Sequence, residues 1–455
     1  MVAIITESFK KQIIQNLFDD VQDSAERYYI GIGRSEDWDS ADEAPTPALT
    51  LREIRNARTS LQSIKSAEDV SFVVPRNNWT SGTIYNAWND NQAGYPSPSY
   101  YVLTENNSVY MVIQQGKNSA GVSVASTVQP TGSSVLPFTT ADGYVWKFLY
   151  SLTALNASTF LTANFVPIRF LTSTDSSSPA IDVEQKNIQD AAIPGQVSGV
   201  AITAGGAGYA TAPTVAIVGD GTGASATATV AGGQVVKIEM DNDSAALGSG
   251  YSFANAVLSG GGFTTAASTR AILAPPAGFG ADPRDDLRST GIMFNTKPSG
   301  DEGGDFIVSN DFRQVVLMKG ILDSVGTAFT PGTGNMLRAL PLSDVNVAFT
   351  EDKTVEGGTS GALGFVDRYD AGNSLLYFHQ NEETGFVQFL EGENITETNG
   401  SGDGVIDSAG ADGDSLAYLA AEADPFTGTV LYIDNRAAVD RAADQTEDIK
   451  AVIRF

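Results

Sequence analysis

Few residues of the types that perform chemistry in proteins occur in this chain. It contains a single histidine, His379, and no cysteine. Thiolate catalysis, disulfides and zinc-thiolate sites are therefore excluded. A Ser-His-Asp arrangement or a multi-histidine metal site has one possible anchor at most. Because His379 lies in an alternating run over residues 375–380, the pattern favours a histidine built into a β-sheet.

Acidic side chains are the next candidates for metal binding. They cluster in glycine-rich loops at Asp241 and Asp243, and at Asp403, Asp407, Asp412 and Asp414. None of these clusters places the glycine and the distal glutamate of the helix-loop-helix calcium site. We therefore predict no functional metal site, with a structural or adventitious ion as the alternative. Spacing along the sequence cannot reveal a carboxylate pair for glycoside hydrolysis.

Glycine-rich phosphate-binding loops are also poorly matched. Gly219, Gly221 and Ala224 have the spacing of a degenerate dinucleotide loop, but the run over residues 225–230 alternates like a strand. No helix N-terminus therefore follows to receive a phosphate. We predict no cofactor and no enzymatic activity.

The net charge limits the possible partners. The 455 residues include 27 basic and 54 acidic side chains, which gives a formal charge of −27. Such a chain repels nucleic acids and anionic membranes and favours basic or neutral protein partners. The sequence shows neither a secretion signal nor a long apolar run. We therefore predict synthesis in the cytoplasm and no membrane insertion.

Helices are predicted near the start of the chain. Apolar residues recur at helical spacing over residues 9–21. Thr50 and Glu53 form a capping box that opens a second helix, which we expect to continue through Ile64.

From residue 71 onward, short β patterns alternate with glycine, proline, asparagine and serine. Residues 100–103 and 109–114 predict a hairpin. Residues 141–152 begin with an Asp-Gly turn and continue as an aromatic strand.

The end of the chain predicts two more strands. Residues 449–455 alternate between two faces, which indicates a strand tied into a sheet with distant partners. A strand over residues 429–433 precedes it, and Asp434, Asn435 and Arg436 are interpreted as a polar turn.

Two internal repeats interrupt the ordinary composition. The motif GAGY at residues 206–209 returns as GSGY at residues 248–251, 42 positions later. Residues 349–366 are matched 40 positions later by residues 389–406. The five matched pairs are Phe349 and Phe389, Glu351 and Glu391, Val355 and Ile395, Gly364 and Gly404, and Val366 and Ile406. We expect the two copies of this small β unit to pack together.

These patterns predict a mainly β, multi-domain fold: an antiparallel β-sheet or sandwich core, two or three N-terminal helices and inserted glycine-rich β repeat modules. The discontinuous core is assigned to residues 1–193, 275–344 and 426–455. Residues 194–274 form the inserted GxGY module, and residues 345–425 form the inserted acidic module with the 40-residue repeat.

The acidic module concentrates negative charge. Residues 371–427 contain eleven Asp or Glu and no Lys or Arg. Such a face is usually only solvated, and the alternative is a docking surface for a basic partner.

Several short blocks, taken in order along the chain, resemble one family. The blocks are Gly33, Arg34, Ser35 and Glu36 with Trp38; Val74, Pro75 and Arg76 with Trp79; Asp142, Gly143, Tyr144, Val145 and Trp146; Phe312, Arg313 and Gln314; Asn435 and Arg436; Asp444, Gln445, Thr446 and Glu447; and Phe455. This ordered set resembles the baseplate wedge subunit, gene product eight, of T-even-type contractile-tailed phages. The blocks cover a minority of the residues, and most of both repeat modules departs from the family pattern.

The resemblance implies a structural homodimer in the tail baseplate of a virion, assembled in the host cytoplasm. It implies contacts with other wedge proteins, with fibre-attachment proteins as further candidates, and a part in baseplate assembly and rearrangement on tail contraction. The motif residues would then be structural or interface residues, and for Trp38, Trp79 and Trp146 we favour the core. The exposed glycine-rich repeats motivate an alternative, a receptor-binding or tail-fibre attachment protein.

Overall fold

The structure is a computed structural model that describes residues 6–23, 27–39, 41–240, 246–408 and 418–455. Four of the candidate metal-binding acids, Asp241, Asp243, Asp412 and Asp414, lie outside the described residues. Strands account for 39% of the chain and helices for 12%, so the prediction of a mainly β, antiparallel fold is confirmed.

The described part of the chain contains five α-helices and a 3-10 turn at Glu302–Gly304. The helices are α1 (Glu7–Gln22), α2 (Leu51–Thr59), α3 (Ala154–Phe160), α4 (Ala180–Asp190) and α5 (Pro283–Asp286). The strands before the GxGY module are β1 (Tyr28–Gly33), β2 (Leu61–Ser66), β3 (Asp69–Pro75), β4 (Tyr101–Leu103), β5 (Ser108–Gln114), β6 (Phe138–Thr139), β7 (Val145–Ser151) and β8 (Phe165–Pro167).

The later strands follow the same order along the chain. They are β9 (Val197–Ala204), β10 (Thr214–Gly219), β11 (Thr222–Ala224), β12 (Ala226–Ala231), β13 (Gln234–Met240), β14 (Leu247–Ser249), β15 (Ala254–Ser259), β16 (Ser268–Leu273), β17 (Gly291–Thr296), β18 (Phe312–Lys319), β19 (Thr333–Asn335), β20 (Arg338–Val347), β21 (Thr354–Gly357), β22 (Leu363–Asp370), β23 (Leu375–His379), β24 (Asn394–Thr398), β25 (Asp403–Ile406), β26 (Thr429–Val439) and β27 (Ile449–Arg454).

The chain forms two compact units. The first lies within Met1–Gln15, Ser71–Met293 and Ile453–Phe455, and the second within Asn16–Val70 and Phe294–Val452. The finer division into a core and two inserted modules stays a prediction.

A five-stranded antiparallel sheet organises the second unit, in the order β19-β2-β1-β18-β26. Its central ladder joins Tyr28 to Lys319 and Gly33 to Gln314. Every residue of β1 is buried, as expected for a strand covered on both faces. The hydrophobic cluster around this sheet contains Tyr29, Ala57, Leu61, Ile64, Val316, Met318, Ile321, Phe329, Met336, Ala423, Val430 and Ile433.

The second predicted helix is partly wrong. Thr50 caps α2 by accepting a hydrogen bond from the Glu53 backbone N–H, as the capping box predicts, but the helix ends at Thr59. Leu61 and Ile64 instead belong to β2, which pairs with β1. Their three-residue spacing fits a helix equally well, and pairing with a buried strand decides the conformation.

The predicted turn at Asp434, Asn435 and Arg436 is also wrong, because these residues continue β26. Asp434 pairs with Val315 of β18, and Asn435 pairs with Gln314. Cross-strand hydrogen bonding therefore accommodates polar residues that a local pattern assigns to a turn. The last strand forms as predicted, over Ile449–Arg454.

Within the first unit, β4, β5, β7 and β6 form a sheet in that order. The predicted hairpin is confirmed: Tyr101 pairs with Met111 across β4 and β5. The core on this sheet contains Tyr85, Val102, Tyr110, Val112, Tyr144, Trp146, Phe148 and Ile188. α3 and α4, which local patterns did not predict, also belong to this unit.

The two GxGY motifs adopt the same local structure. Gly206 and Gly248 have φ angles of 66° and 65°. A Cβ atom at either position would lie only 2.8 Å from the Tyr209 ring or 2.9 Å from the Tyr251 ring, so each glycine seats the tyrosine that follows it. Tyr209 and Tyr251 are buried in separate hydrophobic clusters.

The 40-residue repeat builds a closed six-stranded barrel of order β20-β23-β22-β21-β24-β25. Its first copy forms the hairpin β21-β22, in which Val355 pairs with Gly364. Its second copy forms the hairpin β24-β25, in which Ile395 pairs with Gly404. The hairpins join through β21 and β24, where Gly357 pairs with Ile395.

The side chains inside the barrel show the same correspondence between the two copies. A Cβ atom at Gly404 would lie 3.2 Å from the Phe349 ring, and one at Gly364 would lie 3.3 Å from the Phe389 ring. Each copy thus packs its phenylalanine on the glycine of the other copy, and both rings are buried. The barrel therefore has an internal pseudo-two-fold relation.

Two buried carboxylates fasten the barrel turns. Glu393 accepts hydrogen bonds from the backbone N–H groups of Leu390 at 2.7 Å, Thr359 at 3.0 Å and Ser360 at 2.9 Å. Burial opposes the ionisation of Glu393, but these donors outweigh it and lower the pKa of its carboxyl group.

Glu397 plays the corresponding part at the other turn. It accepts from the backbone N–H groups of Thr350, Ser401 at 2.9 Å and Gly402 at 3.0 Å. Burial again opposes ionisation, and the three donors again lower the pKa of the carboxyl group.

Replacing Glu397 by Gln should destabilise the barrel in a pH-dependent way. Loss of hydrogen bonds to a charged acceptor should lower the free energy of unfolding of the barrel by about 2 kcal/mol at pH 7. Because the folded pKa lies below the ordinary value of 4.5, this contribution is present above that pH and disappears as the pH falls below it. Thermal unfolding between pH 7 and pH 3 measures the difference.

Glu391→Gln is the matched control, because Glu391 is exposed in the same part of the barrel. A destabilisation by Glu397→Gln that grows as the pH falls would contradict this account of the barrel.

Candidate functional site

The loop after β1 brings together most motif residues of the second unit. We call residues 34–39 and 41–45 the anchored loop. It is held by charged side chains from β18, β22 and β23 and by backbone contacts with β26. The entry to the loop requires glycine, since a Cβ atom at Gly33 would lie 2.2 Å from the Ser60 carbonyl oxygen.

His379 forms the first anchor. It lies in β23, as the alternating pattern predicts, and its side chain is 3% exposed. Its Nδ1 lies 2.6 Å from Asp367 Oδ2, and its Nε2 lies 2.8 Å from Glu36 Oε1. Both ring nitrogens face carboxyl oxygens, which is the geometry of a doubly protonated imidazolium ion.

The two acids determine the charge of the ring. Burial alone would lower the pKa of His379, but Asp367 and Glu36 outweigh burial and raise it to about 10. For the acid Glu36 burial acts in the opposite direction and would raise its pKa, but the charge of His379 outweighs burial and lowers the pKa to about 2. The His379 ring therefore stays protonated at neutral pH.

This arrangement does not activate a nucleophile. Ser35 Oγ donates to Asp367 Oδ1 at 3.1 Å, while His379 Nε2 is occupied by Glu36. A general base would need a free ring nitrogen facing the hydroxyl group. Gln62 Nε2 and Asn310 Nδ2 donate to the side chain and the backbone oxygen of Asp367, so the geometry is that of a structural ion cluster.

Arg313 forms the second anchor, with a side chain that is 7% exposed. Its guanidinium group donates to Asp37 at 2.7 Å, Asp42 at 2.8 Å and Asp311 at 2.5 Å. It also donates to the backbone oxygen of Ser35. A planar guanidinium satisfies such divergent acceptors at once, which a lysine cannot do.

Contacts to β26 complete the anchored loop. Trp38 Nε1 donates to the Arg436 carbonyl oxygen at 2.9 Å, and the Arg34 guanidinium lies 4.3 Å above the Trp38 ring. Asn435 Nδ2 donates to the Pro45 carbonyl oxygen at 3.1 Å. Trp38 is therefore half-buried at the surface of this site and does not belong to the core.

The motif residues of the first unit form a separate group around Asp142. Its carboxyl oxygens accept from the backbone N–H groups of Thr127 at 2.7 Å and Val128 at 2.9 Å, and from the Ser126 hydroxyl at 3.1 Å. Trp79 Nε1 donates to the same Ser126 hydroxyl at 3.1 Å.

The rest of this group lies close by. Gly143 has a φ of 83° and closes the predicted turn. Trp146 is fully buried, in agreement with its expected place in the core, and Trp79 packs against the same cluster. Arg76 donates to Asn78 and to the Thr162 carbonyl oxygen, each at 2.9 Å.

The residues of the tail motif fasten a loop of the second unit. Gly300 donates its N–H to the Gln445 carbonyl oxygen at 2.8 Å, and the hydroxyl groups of Ser299 and Thr446 lie 3.0 Å apart. Glu447 pairs at 2.8 Å with Arg441, which is buried. Asp444 is exposed.

The sequence motifs did not identify several residues that matter most at these sites. Asp367, Asp37 and Asp42 carry no recognisable spacing, and His379 is separated by 343 positions from its partner Glu36. The isolated histidine in a chain of acids is the one signal that could have suggested a buried ion cluster.

No protein-family model matches the chain, and no curated protein matches it. Among the described residues, no group of three or more His, Asp or Glu side chains is placed to hold a metal ion. In that same part of the chain, no helix is both long enough and apolar enough to cross a membrane.

Replacing His379 by Gln should destabilise the second unit most strongly in mildly acidic solution. Removing the imidazolium leaves two buried carboxyl groups unpaired, which should cost about 3 kcal/mol. The folded pKa of about 10 exceeds the ordinary value of 6.5, so the stabilisation is complete below pH 6.5 and is lost as the pH rises through 10. Urea unfolding at pH 6 and pH 9.5 measures this difference.

The variant Glu382→Gln provides a control, since its exposed ion pair with Arg52 contributes little. If the difference between wild type and His379→Gln were larger at pH 9.5 than at pH 6, the imidazolium assignment would be wrong.

Proposed function

We propose that this protein is a structural subunit of a phage tail baseplate wedge. It assembles as a homodimer, holds neighbouring wedge proteins, and takes part in baseplate assembly and in rearrangement on tail contraction. The ordered motif blocks that resemble the wedge subunit of T-even-type phages motivate this proposal.

The observation that carries the proposal is the convergence of distant motif blocks on the anchored loop. The backbone oxygens of Arg34 and Ser35 accept hydrogen bonds from Arg313 of β18. Trp38 donates to the carbonyl oxygen of Arg436 in β26. The charged side chains pair with one another and hold the loop in place. This arrangement suits a rigid contact surface better than a reactive centre.

The acidic module supplies a second supporting observation. Glu393 and Glu397 are buried and fasten the barrel, whereas Glu383 and Glu391 are exposed. Exposed acids in a segment without lysine or arginine favour a neighbouring protein with a basic surface.

Gold-labelled antibody against this protein, imaged on intact phage particles before and after contraction, tests the location. We expect label at the tail tip in both states. Label confined to fibres, or no label on particles, would contradict the proposal and favour a receptor-binding or fibre-attachment protein.

Reversing exposed acids of the module should weaken wedge assembly. The variant Glu382→Lys/Glu383→Lys/Glu391→Lys leaves the buried Glu393 and Glu397 intact. We expect affinity for the neighbouring wedge proteins to fall about tenfold at low ionic strength and less at high salt, because salt screens exposed charges. Sedimentation of reconstituted wedges measures the effect.

A matched control reverses three exposed acids elsewhere, Glu43, Asp69 and Glu105. It changes the net charge equally, so equal losses in both variants, or unaltered assembly of the test variant at low salt, would argue against docking on the acidic module.

A further inference from the structure

The pseudo-two-fold relation of the barrel is broken at one place. Just before the first copy, the end of β20 pairs with β25, with Val345 opposite Gly404 and Val347 opposite Asp403. Forty residues later, Gly385 and Val387 occupy the corresponding positions just before the second copy. Residues 385–390 form no strand, and Gly385 has a φ of 72°. The pairing that β20 makes with β25 is therefore not repeated at Gly385 and Val387, although the barrel is closed.

A side chain occupies the place of the missing ladder. Gln380 Nε2 donates to the Leu363 carbonyl oxygen at 2.8 Å and to the Val387 carbonyl oxygen at 2.7 Å. The backbone N–H groups of Phe386, Val387 and Gln388 make no hydrogen bond to another described residue. These donors remain available to an incoming chain.

The open segment also exposes large apolar side chains. Phe386 is 59% exposed, Val387 51% and Leu390 48%, whereas Phe389 between them is 4% exposed and anchors the segment in the barrel. A cluster of exposed apolar side chains on a fixed backbone is typical of a protein interaction site.

The surrounding charge is negative. Glu383 and Glu391 flank the segment and are exposed, and Glu382 is paired with Arg52 at 2.7 Å. No Lys or Arg occurs in residues 371–427. The same segment of a second copy would bring its own acids against Glu383 and Glu391, so the local charge favours a basic occupant.

We infer that residues 385–390 dock an extended, basic segment of a neighbouring protein, which pairs with the open backbone and covers Phe386, Val387 and Leu390. Alternate side chains of the incoming segment would meet these apolar groups, and its lysines or arginines would meet Glu383 and Glu391. This inference rests on the proposed function insofar as the neighbour is a protein of the same assembly.

A fluorescent peptide of alternating lysine and valine is the probe, and its anisotropy with the full chain measures binding. We expect the wild type to bind it and the variant Phe386→Ser/Val387→Ser to bind roughly tenfold more weakly. A peptide of alternating glutamate and valine should not bind. Thermal unfolding establishes that each variant remains folded.

Val347→Ser is the matched control, because Val347 is the repeat equivalent of Val387 and is 45% exposed. It should leave binding unchanged. Absence of binding by the wild type, equal binding of the acidic peptide, or an equal loss in Val347→Ser would overturn the inference.

Sedimentation velocity tests the rival occupant. If Phe386→Ser/Val387→Ser dissociates a larger species of the wild type, a second copy covers the segment and the inference is wrong. Label at the tail tip without peptide binding would refute this inference alone, whereas peptide binding without label would refute only the baseplate role.

Discussion

A charge that is removed from water must meet fixed opposite charges, and two such charges determine the structure of the second unit. His379 lies between Asp367 and Glu36, and Arg313 lies among Asp37, Asp42 and Asp311. Leaving either cation or its acids unpaired would cost several kcal/mol. The loop after β1 therefore has one conformation in which all of these groups are satisfied.

In the barrel, buried charges are also satisfied, but by neutral backbone N–H groups that donate hydrogen bonds to carboxylates. Glu393 and Glu397 each collect backbone N–H groups from two separate segments, so each carboxylate fixes a turn and its neighbour together. Repetition of the phenylalanine-on-glycine packing in both copies gives the barrel a symmetric interior. Its surface need not be symmetric, because the pairing of β20 is not repeated at residues 385–390.

Local physics explains which parts of the fold could be predicted from the sequence. The cap at Thr50, the hairpin of β4 and β5, and the paired hairpins of the 40-residue repeat depend on neighbours in the chain or on an internal repeat. Prediction from local sequence found the start of α2 but not its end. Leu61 and Ile64 fit a helix or a strand until β1 is placed beside them.

The same limit applies to the candidate site. The motif blocks identified Arg34, Ser35, Glu36 and Arg313, but Glu36 pairs with His379 and Arg313 pairs with Asp37, each hundreds of positions away. An acid that pairs with a buried cation has no local pattern that distinguishes it from a solvated one. The partners of His379 could therefore be recognised only once β22, β23 and the anchored loop were brought together.

The five-stranded sheet has a consequence for the order of folding. β1 pairs with β18, and β18 pairs with β26, so strands from near both ends of the chain meet in one sheet. Closing such long loops makes nucleation slow, because the entropy of the chain is lost before the contacts form. On the ribosome, β1 can pair with β2 early, but its other edge must wait for β18, after most of the chain has emerged. The GxGY sheets and the barrel pair within themselves, and they can fold first.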